Sequence, residues 1–159
     1  MNKATREKLL RVGLKPVVAA LAQRGVKGRT ATKLAPADPF AGSVCLTVES
    51  CRAGSVLVAD LALPAADRLR QRGIVVVARR ELRSLRPEPG DGLLRERDAL
   101  VLIPAALVDE VAEAAAEAVA FEEFTADQVA QGGGVYGLHI PSGERAKQAF
   151  AQWRRMKGR

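Results

Sequence analysis

Residues 100–121 read LVLIPAALVDEVAEAAAEAVAF, and this stretch decides the class of fold. Leu100 to Ile103 is an uninterrupted apolar run of strand length, which predicts a strand buried on both faces. Pro104 then opens a helix, because the first N–H groups of a helix lack internal partners and a proline costs nothing there. Along that helix Leu107, Val111, Ala114, Ala118 and Phe121 recur at alternating spacings of four and three, the period of a single core-facing stripe. Glu110, Glu113 and Glu117 fall off the stripe, and Asp109 and Glu110 suit the positive N-terminal end of the helix. A buried strand running straight into an amphipathic helix points to an α/β domain.

Upstream, Ile74 to Ala78 is a second continuous run rich in β-branched residues, again the pattern of a strand covered on both faces. Pro64 to Gln71 reads as a helix stopped by Gly73, and Ser55 to Asp60 as a strand. Ser43 to Glu49 alternates Val44, Leu46 and Val48 with Ser43, Cys45 and Thr47, which predicts a half-buried strand. Ala4 to Val12 predicts a short helix broken at Gly13. A second helix follows with Pro16 in its first turn, Val17, Val18, Ala20 and Leu21 inward, and Gly25 as its stop. Val26 to Phe40 reads as loop, and Pro87 to Gly92 as a turn. Gly132-Gly133-Gly134 reads as a connector, since it follows a helix and lacks the Gly-Lys-Ser/Thr ending of a phosphate loop. Ser142 or Gly143 is the expected cap of a last helix reaching about Trp153. The organisation expected is one domain over 1–159: helices and loop over 1–40, a sheet region over 41–104, and helices over 105–159.

The 159 residues suit one domain with an ordinary core, 48% hydrophobic and only 4% aromatic. The opening residues are polar and basic, and no apolar run approaches the length of a membrane span. The cytoplasm is therefore expected, with Cys45 and Cys51 reduced. The net charge of +7 is uneven. Residues 1–33 carry nine Lys or Arg against one Glu, residues 144–159 six against one, and residues 101–143 seven acids with no base. Without interleaved aromatics or a nucleic-acid motif, the preferred reading pairs the basic ends with the acidic helix, in the subunit or across an interface. For the last helix this predicts Arg154 and Arg155 near an acidic face. Arg79, Arg80, Arg83 and Arg86 form the densest basic cluster, either an anion site or a solvated edge. His139 has no nucleophile or metal partner in sequence and reads as a packing or surface residue.

Three blocks in order carry a resemblance. The first holds Pro16-Val17-Val18-Ala19-Ala20-Leu21, then Arg24 to Arg29, then Ala41 to Val48. The second is Pro89-Gly90-Asp91 with Asp98 to Pro104 and the helix from Leu107 to Glu123. The third is Gly137 to Pro141 with Glu144 to Trp153. In this order they resemble the RraA-like family, which contains regulator of ribonuclease activity A and 4-hydroxy-4-methyl-2-oxoglutarate aldolase. The resemblance implies a swivelling β/β/α domain with helical N- and C-terminal segments, assembled as a homotrimer with sites between subunits.

It also implies a chemistry. Family enzymes are carbon–carbon lyases, aldolases or oxaloacetate decarboxylases, in which Mg2+ or Mn2+ polarises the substrate carbonyl and stabilises an enolate. Their Asp-Gly-x-x-Arg-Asp segment falls where this chain is shortened. One alignment places Asp60 at the earlier Asp and Pro64-Ala65 where Arg-Asp should stand, which removes the pair. Another gap offers Arg80 and Glu81, beside Arg79, with Asp60 and Asp98 as metal candidates. The first is preferred: a catalytically impaired member acting as an oligomeric binding or regulatory protein, with a ribonuclease or another protein as partner. The alternatives are an active metal-dependent aldolase or decarboxylase, and an RNA-associated basic protein.

Overall fold

In a computed structural model the described residues are 1–132 and 143–158. The chain begins with α1 (Lys3–Val12) and α2 (Leu14–Gln23), then β1 (Thr30–Ala31), β2 (Ala37–Cys45) and β3 (Ser55–Val58). Next come α3 (Leu63–Gln71), β4 (Val75–Val77) and the one-turn α4 (Arg79–Leu82). The hairpin of β5 (Gly92–Arg97) and β6 (Ala99–Ile103) leads into α5 (Val108–Ala130), and α6 (Glu144–Met156) closes the chain. The strands make one mixed sheet in the order β1-β6-β5-β2-β3-β4. Strands β2, β3 and β4 run parallel, whereas β5 is antiparallel to both β2 and β6, and β1 is antiparallel to β6. The result is a mixed α/β fold with a six-stranded sheet and helical ends. Two compact units divide it, Met1–Ala115 and Ala116–Arg159.

In the first unit the two sheet faces are closed differently. Val44, Val56, Val58, Val77, Leu93, Leu100 and Leu102 make one face, covered by Leu34, Leu82 and Leu85 from loops and α4. With a side-chain period of two, Leu94, Val101 and Ile103 point the other way, toward the side on which α1 and α2 pack against β2, β5 and β6. A satellite cluster joins Cys45, Cys51 and Leu57 to Leu69 of α3 and Ile74. The second unit holds the remainder of α5 with α6, joined by Phe121, Phe124, Phe150 and Trp153.

Several expectations shift. The alternation of Val44, Leu46 and Val48 runs past the true strand end: β2 stops at Cys45, and Leu46 and Val48 are exposed in the turn beyond it. The strand instead starts within the segment read as loop. Pro39 sits in its exposed first half, beside a register shift between Ala37 and Phe40, the kind of irregularity that tolerates a proline. Gly42 is compatible with a strand because a Cβ there would meet Gly54 O and Val56 Cγ2 at 2.6 Å. β1 also lies in that supposed loop. The run at Ile74 to Ala78 does give β4, but at the sheet edge, with Val75 and Val76 only half-buried. β5 had no counterpart in the sequence reading.

The stripe on α5 is displaced as well. Ala105–Leu107 forms a 3-10 turn, and the helix proper starts at Val108. Its buried residues are Val108, Val111, Ala112 and Ala115, then Ala120, Phe121 and Phe124, while Leu107, Ala114 and Ala118 are half-buried. α1, α2 and α3 fall within two residues of their predicted bounds. Gly143 caps α6, which runs on to Met156. Gly133, Gly134, His139, Ser142 and the Gly137 to Pro141 block lie outside the described residues.

Candidate functional site

The parallel strands β3 and β4 end side by side, with Val58 opposite Val77. The carboxyl ends of parallel strands are where open α/β sheets carry their ligands, and here they carry Asp60, Arg79, Arg80 and Glu81. Asp60 Oδ1 accepts the backbone N–H of Arg79 at 3.1 Å, capping α4 from outside the helix. Glu81 Oε1 accepts the N–H of Ala78 at 3.3 Å, and its Oε2 is ion-paired with Arg95. Arg79 and Arg80 are exposed. Asp60, Arg79 and Glu81 thus meet around one helical turn, but both carboxylates are already committed to organising that turn.

Asp98 is elsewhere. It sits in the β5–β6 hairpin, where Glu96 pairs with Ala99 and Arg97 pairs with Ala37 at the start of β2. Asp60 lies beyond the level at which β2 ends, since Cys45 pairs with Leu57. A nine-residue strand separates the two levels; at roughly 3.3 Å per residue that is on the order of 25 Å. Asp98 lines an open cleft of about 770 Å³ with Pro36, Ala37, Asp38 and Arg97. Arg97 has φ +52 there, as the first residue of a two-residue hairpin can.

Among the described residues no three His, Cys, Asp or Glu side chains gather as a metal-holding group. Within one chain Asp60 and Asp98 stand too far apart to share an ion. Pro64 and Ala65 stand in the first turn of α3.

The sequence reading missed the most deeply buried charge among the described residues. Arg95 is 2% exposed and faces the same side as Leu93. Its guanidinium reaches Glu81 and the carbonyl of Ala35, and its Nε donates to the carbonyl of Arg97 at 3.4 Å. A period of two running Leu93, Arg95 was the available signal, but arginine is ordinarily placed outside. Asp91 is likewise buried, accepting N–H groups of Glu88 and Ala105 at 3.1 and 3.0 Å with Arg29 at 3.6 Å. The Pro-Gly-Asp turn is therefore a structural clasp between β5 and the entry to α5.

The thiols are free and buried. Burial, first, and a hydrogen bond with Cys45, second, push the Cys51 thiol up to about 11, which keeps it protonated and a poor nucleophile near neutral pH.

The charge segregation resolves within each unit. Lys8 pairs with Glu113, and Arg24 with Glu110 at 2.7 Å, so basic residues of α1 and α2 lie against the acidic start of α5. In the second unit Lys157, not Arg154 or Arg155, makes the pairing, with Asp127 at 3.2 Å. Arg154 stacks over the Phe150 ring instead, 5.9 Å from its centroid. Among the described residues no helix is long and apolar enough to cross a membrane.

No family model matches the chain, and no curated protein matches it. Among solved structures it is similar to the crystal structure of an uncharacterized protein from Pseudomonas syringae pv. tomato str. DC3000. The TM-score is 0.62 at 13% identity, over 92% of this chain and 98% of that one. At that identity the likeness shows the fold alone: a mixed α/β architecture shared along nearly the whole of both chains.

Proposed function

We propose that this chain is a shortened RraA-like protein, of the swivelling β/β/α type, that has lost the family's metal-dependent chemistry and serves as an oligomeric binding or regulatory protein. The ordered sequence blocks and the mixed sheet with helical ends support the family reading. The observation that carries the loss of chemistry is the commitment of Asp60 to the Arg79 N–H and of Glu81 to Arg95. Within one chain, the separation of Asp60 from Asp98 along β2 agrees with it. Enolate stabilisation needs a cation held at the substrate carbonyl. It also needs a free positive group for the carboxylate, which Arg79 and Arg80 could supply while the acids beside them stay committed.

Pyruvate release from oxaloacetate, with Mg2+ or Mn2+ and with or without chelator, tests this. The expected rate is that of the metal alone. Chelator-sensitive turnover above that rate, abolished by Asp60→Asn or Arg80→Ala, would establish an active lyase instead. Light scattering decides the oligomeric half of the proposal: a strict monomer at micromolar concentration removes it.

A further inference from the structure

Residues 61–86 hold seven arginines and two acids, and both acids are taken, Asp67 by Arg70 and Glu81 by Arg95. Among the described residues no carboxylate pairs with Arg68, Arg72, Arg79, Arg80 or Arg86. Through the middle of this segment runs β4, an edge strand that pairs only with β3. The carbonyl of Val77 faces β3, where it accepts the N–H of Ala59 at 3.1 Å. With alternate residues turned outward in a parallel ladder, the backbone groups of Ile74, Val76 and Ala78 face away from the sheet.

The chain closes both ends of that outer row itself. The N–H of Ile74 goes to Leu69 O at 3.0 Å. The N–H of Ala78 goes to Glu81 Oε1, and its carbonyl accepts the Glu81 N–H at 2.9 Å. Among the described residues, what stays open is the carbonyl of Ile74 and the N–H and carbonyl of Val76. Val75 and Val76 are half-buried on opposite faces of the same edge, leaving apolar surface that the side chains of an added strand would cover. Arg72 precedes this opening, and Arg79 and Arg80 follow it.

We propose that β4 is a docking edge for an extended acidic peptide segment of a partner protein, which adds a strand beside Val76 and places its carboxylates against Arg72, Arg79 and Arg80. Main-chain bonds supply recognition of an extended segment, and the arginines select its charge. A second copy is a poor occupant, because pairing two β4 edges sets like charges against each other. The proposal gives the binding role above a surface, yet the two fail separately: the pyruvate assay reads the chemistry, and peptide binding reads only this edge.

The probe is a fluorescent peptide with two acidic residues at each end of Val-Thr-Val, titrated by anisotropy against the full chain. Saturable binding is expected, weakened about ten-fold or more by N-methylation of the central peptide amides. Val76→Pro removes the outward N–H without touching the β3 ladder and should weaken binding similarly. Arg72→Glu with Arg79→Glu should do the same and flatten the salt dependence. If Val76→Pro fails to fold, as circular dichroism would show, the N-methylated peptide against the native chain still reads the same bonds. Absent binding, equal affinity for the N-methylated peptide, or tighter binding of a single-stranded oligonucleotide insensitive to Val76→Pro would each overturn the proposal.

Discussion

One face of the sheet in the first unit is closed by regular helices, α1 and α2. The other is closed by the four-residue α4 and by loop residues Leu34 and Leu85. On the helical side the packed groups are apolar, such as Leu9, Val17 and Leu21, and the ion pairs of α1 and α2 with α5 lie at its rim, half-exposed or more on their acidic partners. On the loop side a guanidinium is driven into the interior, where Glu81 and two backbone carbonyls satisfy it. Short irregular segments offer too few apolar side chains to seal a face, and their backbone groups need partners that no ladder provides. A long arginine meets both needs, covering area with its stem and bonding loop carbonyls with its head.

This contrast predicts unequal sensitivity. The largest effect is expected on the loop side. Glu81→Gln leaves the Arg95 charge buried without its counter-ion and should cost about 2–3 kcal/mol in urea unfolding, somewhat below the usual cost of breaking a buried pair because Glu81 is partly open to water. Replacing both partners together, Arg95→Met with Glu81→Leu, should recover most of that loss. A single-variant loss under about 0.5 kcal/mol, the size of a surface pair, would mean that the pair does not hold this face.

The helical side should respond to volume and not to charge. Val111→Ala removes two fully buried carbons from α5 and should cost roughly 2 kcal/mol. Lys8→Ala breaks the rim pair with Glu113 and should cost under about 1 kcal/mol. If the two losses came out equal in the same urea titration, the distinction between the faces would fall.

The same contrast explains what the sequence disclosed. Helices α1, α2 and α3 were legible because proline, glycine and the apolar period mark their ends locally. The strand at Leu100 was legible because it is apolar throughout. β2 was misplaced because Pro39 looks like a loop residue; only the register shift beside it, set by the distant β5, reveals why a strand accepts it. The α5 stripe moved because a 3-10 turn takes up Ala105–Leu107 before the helix settles. At the candidate site, the chain's order placed Asp60 near Arg79 but could not show that their contact is a helix cap. Arg95 was hidden for the same reason: its partners lie 14 and 60 positions away in sequence.

The second unit extends the comparison to a charge whose partners sit on a helix. Asp127 accepts the indole N–H of Trp153 at 2.8 Å and is paired with Lys157. The hydrogen bond from Trp153, first, and then Lys157 hold its carboxyl below the ordinary aspartate range. A carboxyl whose folded pKa lies under its unfolded value, about 3.9, stabilises the fold above that value. The contribution is lost as pH falls through the folded pKa. Burial of the surrounding rings does not itself titrate, whereas the Asp127 carboxyl does. Trp153 fluorescence followed from pH 6 down to pH 2 should show the native chain losing its buried-indole signal as Asp127 protonates. Asp127→Asn keeps a carbonyl for the indole but has no charge to lose, and its signal should change less over the same range, with a slightly weaker signal at the start. Two superimposable curves would place the acid sensitivity of this joint elsewhere than Asp127.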